Sequence, residues 1–151
     1  MNTEIELVEQ FTVNEISNAK QFSLAGNVIY AYITSVYDGD TFTCVFKFHD
    51  IMYNTHIRMD GYDAPEIKPR LEIPNRDKII QQAIETKNLL QNLILDKYVF
   101  INVLSNDKYG GRFIGSVKLN ASDSDTINSI MLKSNLVNPY NGSTKKIFSF
   151  I

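Results

Sequence analysis

Cysteine is nearly absent: Cys44 is the only one in 151 residues. One thiol cannot make an intramolecular disulfide, so no disulfide framework holds this chain together. None is needed, because a chain of this length suits one domain with a single core and buries roughly 68–70% of the surface it exposes when unfolded. A lone thiol also fits a reducing compartment. A basic leader followed by an apolar run is missing: the chain opens MNTEIELVEQF, which is acidic and alternating and lacks the form of a secretory signal. No apolar stretch is long enough to span a bilayer. The expectation is an intracellular protein with no membrane contact. Positive charge is not in excess either. The formal net charge is −2, whereas a domain whose whole surface grips nucleic acid is usually basic. Lys68, Arg70, Arg76 and Lys78 lie close together, as do Lys108 with Arg112 and Lys145 with Lys146. On charge alone these read as ordinary solvated side chains. Internal repeats and low-complexity tracts are also lacking.

What is present is a series of short strands interrupted by a helix. Residues 1–26 read as an N-terminal extension and 27–151 as the folded domain. Within the extension, Thr12-Val13-Asn14-Glu15 has capping-box spacing and predicts a short helix, and Gly26 punctuates. Asn27 to Tyr37 is β-branched and aromatic, which predicts a strand. Asp38-Gly39 is a turn dipeptide, and Thr41 to Phe48 alternates as the return strand of a hairpin. A third strand is expected from His56 to Tyr62. Pro65, Pro69 and Pro74 make Glu66 to Lys78 a charged loop. Ile79 to Leu95 is the clearest helix, with Ile80, Ala83, Ile84, Leu90, Leu93 and Ile94 at helical spacing. Strands are expected again from Tyr98 to Leu104 and Arg112 to Leu119, around a glycine-rich turn. A second helix runs from about Thr126 to Lys133, with Asp125 as its cap and Asn135 as its stop. This order suits an α+β, mainly β fold: a five-stranded OB-fold barrel with packed helices.

Three motifs carry chemistry. They are Asp38-Gly39-Asp40-Thr41, then Arg58 with Asp63-Ala64-Pro65-Glu66, then Asp107-Lys108-Tyr109-Gly110-Gly111-Arg112. Taken singly, each reads as a turn or a strand exit. Taken together, they put carboxylates and two arginines at the ends of predicted strands. Hard cations take carboxylate and carbonyl oxygens. Phosphate is bound best by the planar donor fork of arginine. An acid cluster with two arginines is what phosphodiester hydrolysis needs, since cations offset the charge on the transferring phosphorus while a spare carboxylate activates water. Cys44 reads as a small core residue, and His49 and His56 show no metal-ligand pattern.

These motifs resemble those of the staphylococcal-nuclease (thermonuclease) family. The likeness runs from roughly Gly26 to Lys145 and rests on V-x-D-G-D-T at Val36 to Thr41, R-x-x-x-x-D-A-P-E at Arg58 to Glu66, and D-K-Y-G-(G)-R-x-I-G at Asp107 to Gly115. It implies an OB barrel. It further implies Asp40, Asp63 and the carbonyl of Ala64 as ligands of a calcium ion, with Asp38 and Thr41 just outside the ligand set. Glu66 matches the general base, and Arg58 and Arg112 the arginines that hold the phosphate. Lys108, Tyr109 and Tyr140 match nucleotide-binding side chains, and Asn128 a structural asparagine. The chain departs from the family by one extra glycine, Gly111. The retained Arg112-Phe113-Ile114-Gly115 pattern reads as an insertion absorbed by the turn.

The resemblance thus implies a calcium-dependent nuclease acting on DNA and RNA, leaving 3′-phosphate ends, as a monomer. The alternative is a barrel that binds nucleic acid or a partner without catalysis. The presence of Asp40, Arg58, Asp63, Glu66 and Arg112 separates the two in favour of the enzyme. The acidic, signal-free form is also similar to the short nuclease domains of phages and large DNA viruses.

Overall fold

The computed structural model describes residues 9–108 and 110–148. In chain order it has helix α1 (Val13–Ser17), strands β1 (Val28–Val36), β2 (Thr41–Phe48), β3 (Ile51–Met59) and β4 (Tyr62–Asp63), and helix α2 (Arg76–Ile94). Strands β5 (Tyr98–Asn106) and β6 (Arg112–Lys118), helix α3 (Ile127–Lys133) and strand β7 (Asn138–Pro139) follow. Five strands close a barrel in the order β1-β2-β3-β6-β5, with β5 paired back onto β1. Strands β3 and β6 run parallel, and the other barrel neighbours are antiparallel. Strands β4 and β7 form a separate two-stranded ribbon. The fold is therefore α+β and mainly β, an OB-type barrel with helices packed on it, as the element order predicts.

Alternation along the strands fills the barrel. Ile29, Ala31 and Ile33 of β1, Phe42, Cys44 and Phe46 of β2, and Val99, Ile101 and Val103 of β5 point inward and are buried. Leu90 and Ile94 of α2 and Ile127 and Met131 of α3 join the same cluster. Gly115 of β6 has no room for a side chain, since an added Cβ would lie 2.9 Å from Ile101 Cγ2. In β1 the alternation slips once. The register to β2 shifts between Ile33 and Ser35, Thr34 and Ser35 both face outward, and Val36 returns to the core. Such a bulge re-aims the chain just before the turn that follows. The end of the 1–26 segment joins the barrel: Leu24 is buried in the core, and the Gly26 N–H donates to the Val103 carbonyl at 2.8 Å. Thr12 caps α1 with both halves of the capping box formed.

Three boundaries differ from the expectations. The third strand starts at Ile51, not His56, and breaks before Tyr62. His49 and Asp50 both adopt left-handed φ, 47° and 64°, and turn the hairpin without the Asn-Gly or Asp-Gly that normally marks such a turn. The long helix starts at Arg76, not Ile79: its first turn, Arg76-Asp77-Lys78, is polar and carries no apolar periodicity, and its cap Asn75, in the left-handed region, makes no side-chain capping bond that would mark the start. On that helix Ile84 is exposed, while Thr86 is fully buried, its hydroxyl donating to the Gln82 carbonyl. The last helix is capped by Thr126, whose hydroxyl accepts from the Ser129 N–H at 3.0 Å, rather than by Asp125. Asn135 ends it in the left-handed conformation (φ 63°).

Candidate active site

The turn between β1 and β2 is pinned from several sides. The Tyr37 N–H donates to the Thr41 carbonyl at 2.9 Å, and Asp38 Oδ1 accepts from the Asp40 N–H at 3.0 Å. Gly39 serves close packing: a Cβ there would collide with Thr86 Cγ2 and lie 2.9 Å from Ala64 Cβ. The Gly39 carbonyl accepts from the buried Tyr62 hydroxyl at 2.7 Å. Burial first, and then Asp40 and Asp38, hold that hydroxyl's pKa well above the usual tyrosine value, so it stays a donor.

This anchoring presents Asp40 to two other segments. Its Oδ2 accepts from the Ala64 N–H at 2.9 Å and lies 3.3 Å from Arg58 Nη1, while its Oδ1 accepts from the Thr41 hydroxyl at 2.9 Å. The pairing of Thr41 with Arg58 across the β2–β3 hairpin sets this approach. Arg58 is buried and spans two acids, because its Nη2 also lies 3.4 Å from Asp63 Oδ1 and donates to the Tyr62 carbonyl. Lys145 comes from the far end of the chain to place its Nζ 3.1 Å from the same Asp63 oxygen. Burial, and then the Asp40 charge, push the Asp38 carboxyl up to about 7.

The second arginine is held differently. Arg112 Nε donates to Oδ2 of the buried Asp107 at 2.6 Å. The turn between them closes through the Asp107 N–H to the Arg112 carbonyl at 3.0 Å. Gly110 and Gly111, the last two residues of this turn before Arg112, both take left-handed φ, 74° and 72°, a conformation that side chains resist. Parallel pairing of β6 on β3 sets Arg112 opposite His56, two residues from Arg58.

The sequence-predicted residues therefore fall into two adjoining hollows. Asp38, Asp40, Thr41, Arg58, Asp63, Ala64, Glu66 and Arg112 all line one cleft of about 250 Å³. Lys108 and Tyr140 line a neighbouring cleft of about 290 Å³, which shares Arg58, Arg112 and Lys145 with the first. The β4–β7 ribbon carries Tyr140 there. Its N–H donates to the Gly61 carbonyl, and its ring lies under Arg58, 5.3 Å from the guanidinium carbon. Tyr109 lies outside the described residues. Glu66 is exposed at the cleft edge. Among the described residues no group of three or more His, Cys, Asp or Glu gathers as a metal cage. Asp40 and Asp63, held together by Arg58, are a pair of hard oxygen donors with no imidazole or thiol lining their cleft.

Three contributors escape sequence reasoning. Asp107 orients Arg112, and its position just before the turn was a usable signal. Tyr62 anchors Gly39, and Lys145 neutralises Asp63. No local pattern joins those partners.

The family whose model matches the chain is described as staphylococcal nuclease homologue, over residues 56–147. The matched segment holds Arg58, Asp63, Glu66, Arg112 and Tyr140 and starts after the Asp38–Thr41 turn. Comparison with curated proteins gives no match.

Proposed function

The chain belongs to the staphylococcal nuclease homologue family, and from that premise we propose that its acidic cleft hydrolyses phosphodiester bonds of DNA and RNA with calcium as the required ion. The observation that carries this reading is the convergence of Asp40, Asp63, Glu66, Arg58 and Arg112 on one cleft from four separate segments. Asp40 and Asp63, with Ala64 beside them, would hold the ion. Two carboxylates leave most positions of a large, flexible coordination sphere to water and substrate, which suits calcium. When bound, the ion supplies positive charge against the phosphate oxygens.

The chain's own groups divide the remaining work. The Arg58 guanidinium donates through Nη2 to Asp63 and the Tyr62 carbonyl and lies beside Asp40 at Nη1, which leaves donors on Nε and Nη1 for a phosphate oxygen. Arg112 is steered by Asp107 through Nε, so its terminal nitrogens present a fork to the same phosphate. Glu66, at the solvent edge, takes a proton from the attacking water. The water oxygen bonds to phosphorus as the bond to the 5′ oxygen breaks. That oxygen departs as a hydroxyl after protonation from solvent, leaving a 3′-phosphate. Phosphate contacts do not read the 2′ position, so both sugars are accepted.

Digestion of plasmid and RNA in calcium, in magnesium and in excess chelator tests the reading. Calcium should support cleavage to ends sensitive to a 3′-phosphatase, and magnesium little. Full activity in chelator would overturn the calcium assignment. No cleavage with any divalent ion would overturn the nuclease reading.

A further inference from the structure

A third and larger cleft, about 750 Å³, opens beside the acidic one and shares Tyr37, Thr41, Ile67, Lys68 and Arg112 with it. It runs over the outer face of the β2–β3 hairpin, where Thr43 and His56 are paired and their side chains meet at 2.9 Å. Helix α2 forms one wall through Lys87, and the Gly110-Gly111 turn forms another.

Its charge differs from that of the chain as a whole. The protein has 17 acidic against 15 basic residues, yet Lys68, Lys87 and Arg112 line this cleft and no aspartate or glutamate does. Neither lysine is ion-paired among the described residues. At the lip Tyr37 is 69% exposed, a cost in water that a stacked base would remove. The wall at Gly111 is bare backbone, with nothing within 4 Å of where a Cβ would stand.

We propose that this cleft is a subsite for single-stranded polynucleotide. It would take the chain that continues from the scissile phosphate on the side away from Tyr140, with Lys68 and Lys87 on phosphates and Tyr37 under a base. The proposal rests on the nuclease reading of the adjoining cleft. A hollow of this volume falls in the range of sites for small ligands, which accommodates a few unstacked nucleotides and not a duplex. Stacking on Tyr37 likewise needs an unpaired base.

The test is fluorescence anisotropy with labelled oligothymidylates of two and eight residues, in calcium. Lys87→Ala and Tyr37→Ala are compared with the parent, all in a Glu66→Gln background so that cutting is slow. Both side chains are solvent-accessible, and thermal melts check that the variants fold. Tyr37→Ala should weaken octamer binding at least about fivefold and dinucleotide binding much less. Lys87→Ala should make the slope of log affinity against log salt shallower by about 0.7, and Lys87→Arg should restore it. Octamer affinity and salt slope equal to the parent's in both variants would overturn the subsite. A parent that binds the octamer with the lysine-dependent slope, while the Glu66 form cuts nothing, would overturn the nuclease reading and leave the subsite standing. An intact chain that cuts the octamer with the same KM after either substitution would do the reverse. No binding by the parent would overturn the subsite.

Discussion

Glu66 and Arg112 sit in the same cleft but in different surroundings, and their substitutions should separate accordingly. Glu66 is exposed, so Glu66→Gln removes a proton acceptor with little structural cost. Nucleic-acid binding should stay near the parent's while turnover falls about 10²–10⁴-fold, measured as single-turnover cleavage in calcium. An unchanged rate would mean that water is activated elsewhere. Arg112 is half-buried and tied to Asp107. Arg112→Ala removes a donor that acts on charge developing at phosphorus, so the rate constant should drop at least about 10²–10³-fold with a smaller change in affinity. Arg112→Lys should recover little, because a point charge cannot reproduce the fork. Retention of most turnover in Arg112→Ala would sink the role. Cys44, in contrast, is fully buried on β2, and burial pushes its thiol up to about 12. It is a core residue, in keeping with its place in an alternating strand.

At the level of elements, register brings the site together. The β2–β3 hairpin pairs Thr41 with Arg58, and parallel β6 pairs His56 with Arg112. A slip of one residue in either pairing would turn an arginine to the opposite face. Asn128 of α3 locks this arrangement from behind. Its Nδ2 donates to the Asp60 and Gly115 carbonyls at 2.9 and 3.1 Å, and its Oδ1 accepts from the Val117 N–H at 2.9 Å. One side chain therefore ties α3, β6 and the end of β3 together. Asn128→Ala leaves buried backbone groups without partners and should cost about 1–3 kcal/mol, lowering the melting temperature by several degrees. A melting temperature equal to the parent's would show that other contacts hold α3 in place. Helix and strand types were legible from periodicity, but their ends were not always so. His49-Asp50 and Asn75 reach left-handed φ without glycine, and such positions are stabilised by the strands and helix they join rather than by their own preference.

Across the whole molecule, the acids are gathered while the cations are spread. Asp38, Asp40, Asp63 and Glu66 share one cleft with Arg58, Lys68, Arg112 and Lys145, whereas the next cleft shares Lys68 and Arg112, adds Lys87 and has no carboxylate in its lining. A net charge of −2 conceals this distribution. By itself the sequence determined the number of the barrel strands and their order along the chain, and the three segments that carry acids and arginines. It could do so because alternation, turn residues and motif spacing are local properties of the chain. Only the tertiary structure decided that Lys145 meets Asp63, that Tyr62 anchors Gly39, that Thr86 rather than Ile84 faces inward from α2, and that a cleft free of carboxylates opens beside the acids. Those pairings join residues far apart in the chain. They form because closing the barrel forces the ends of β1, β3, β4 and β6 into one small volume, where each buried charge or hydroxyl must find a partner from another segment.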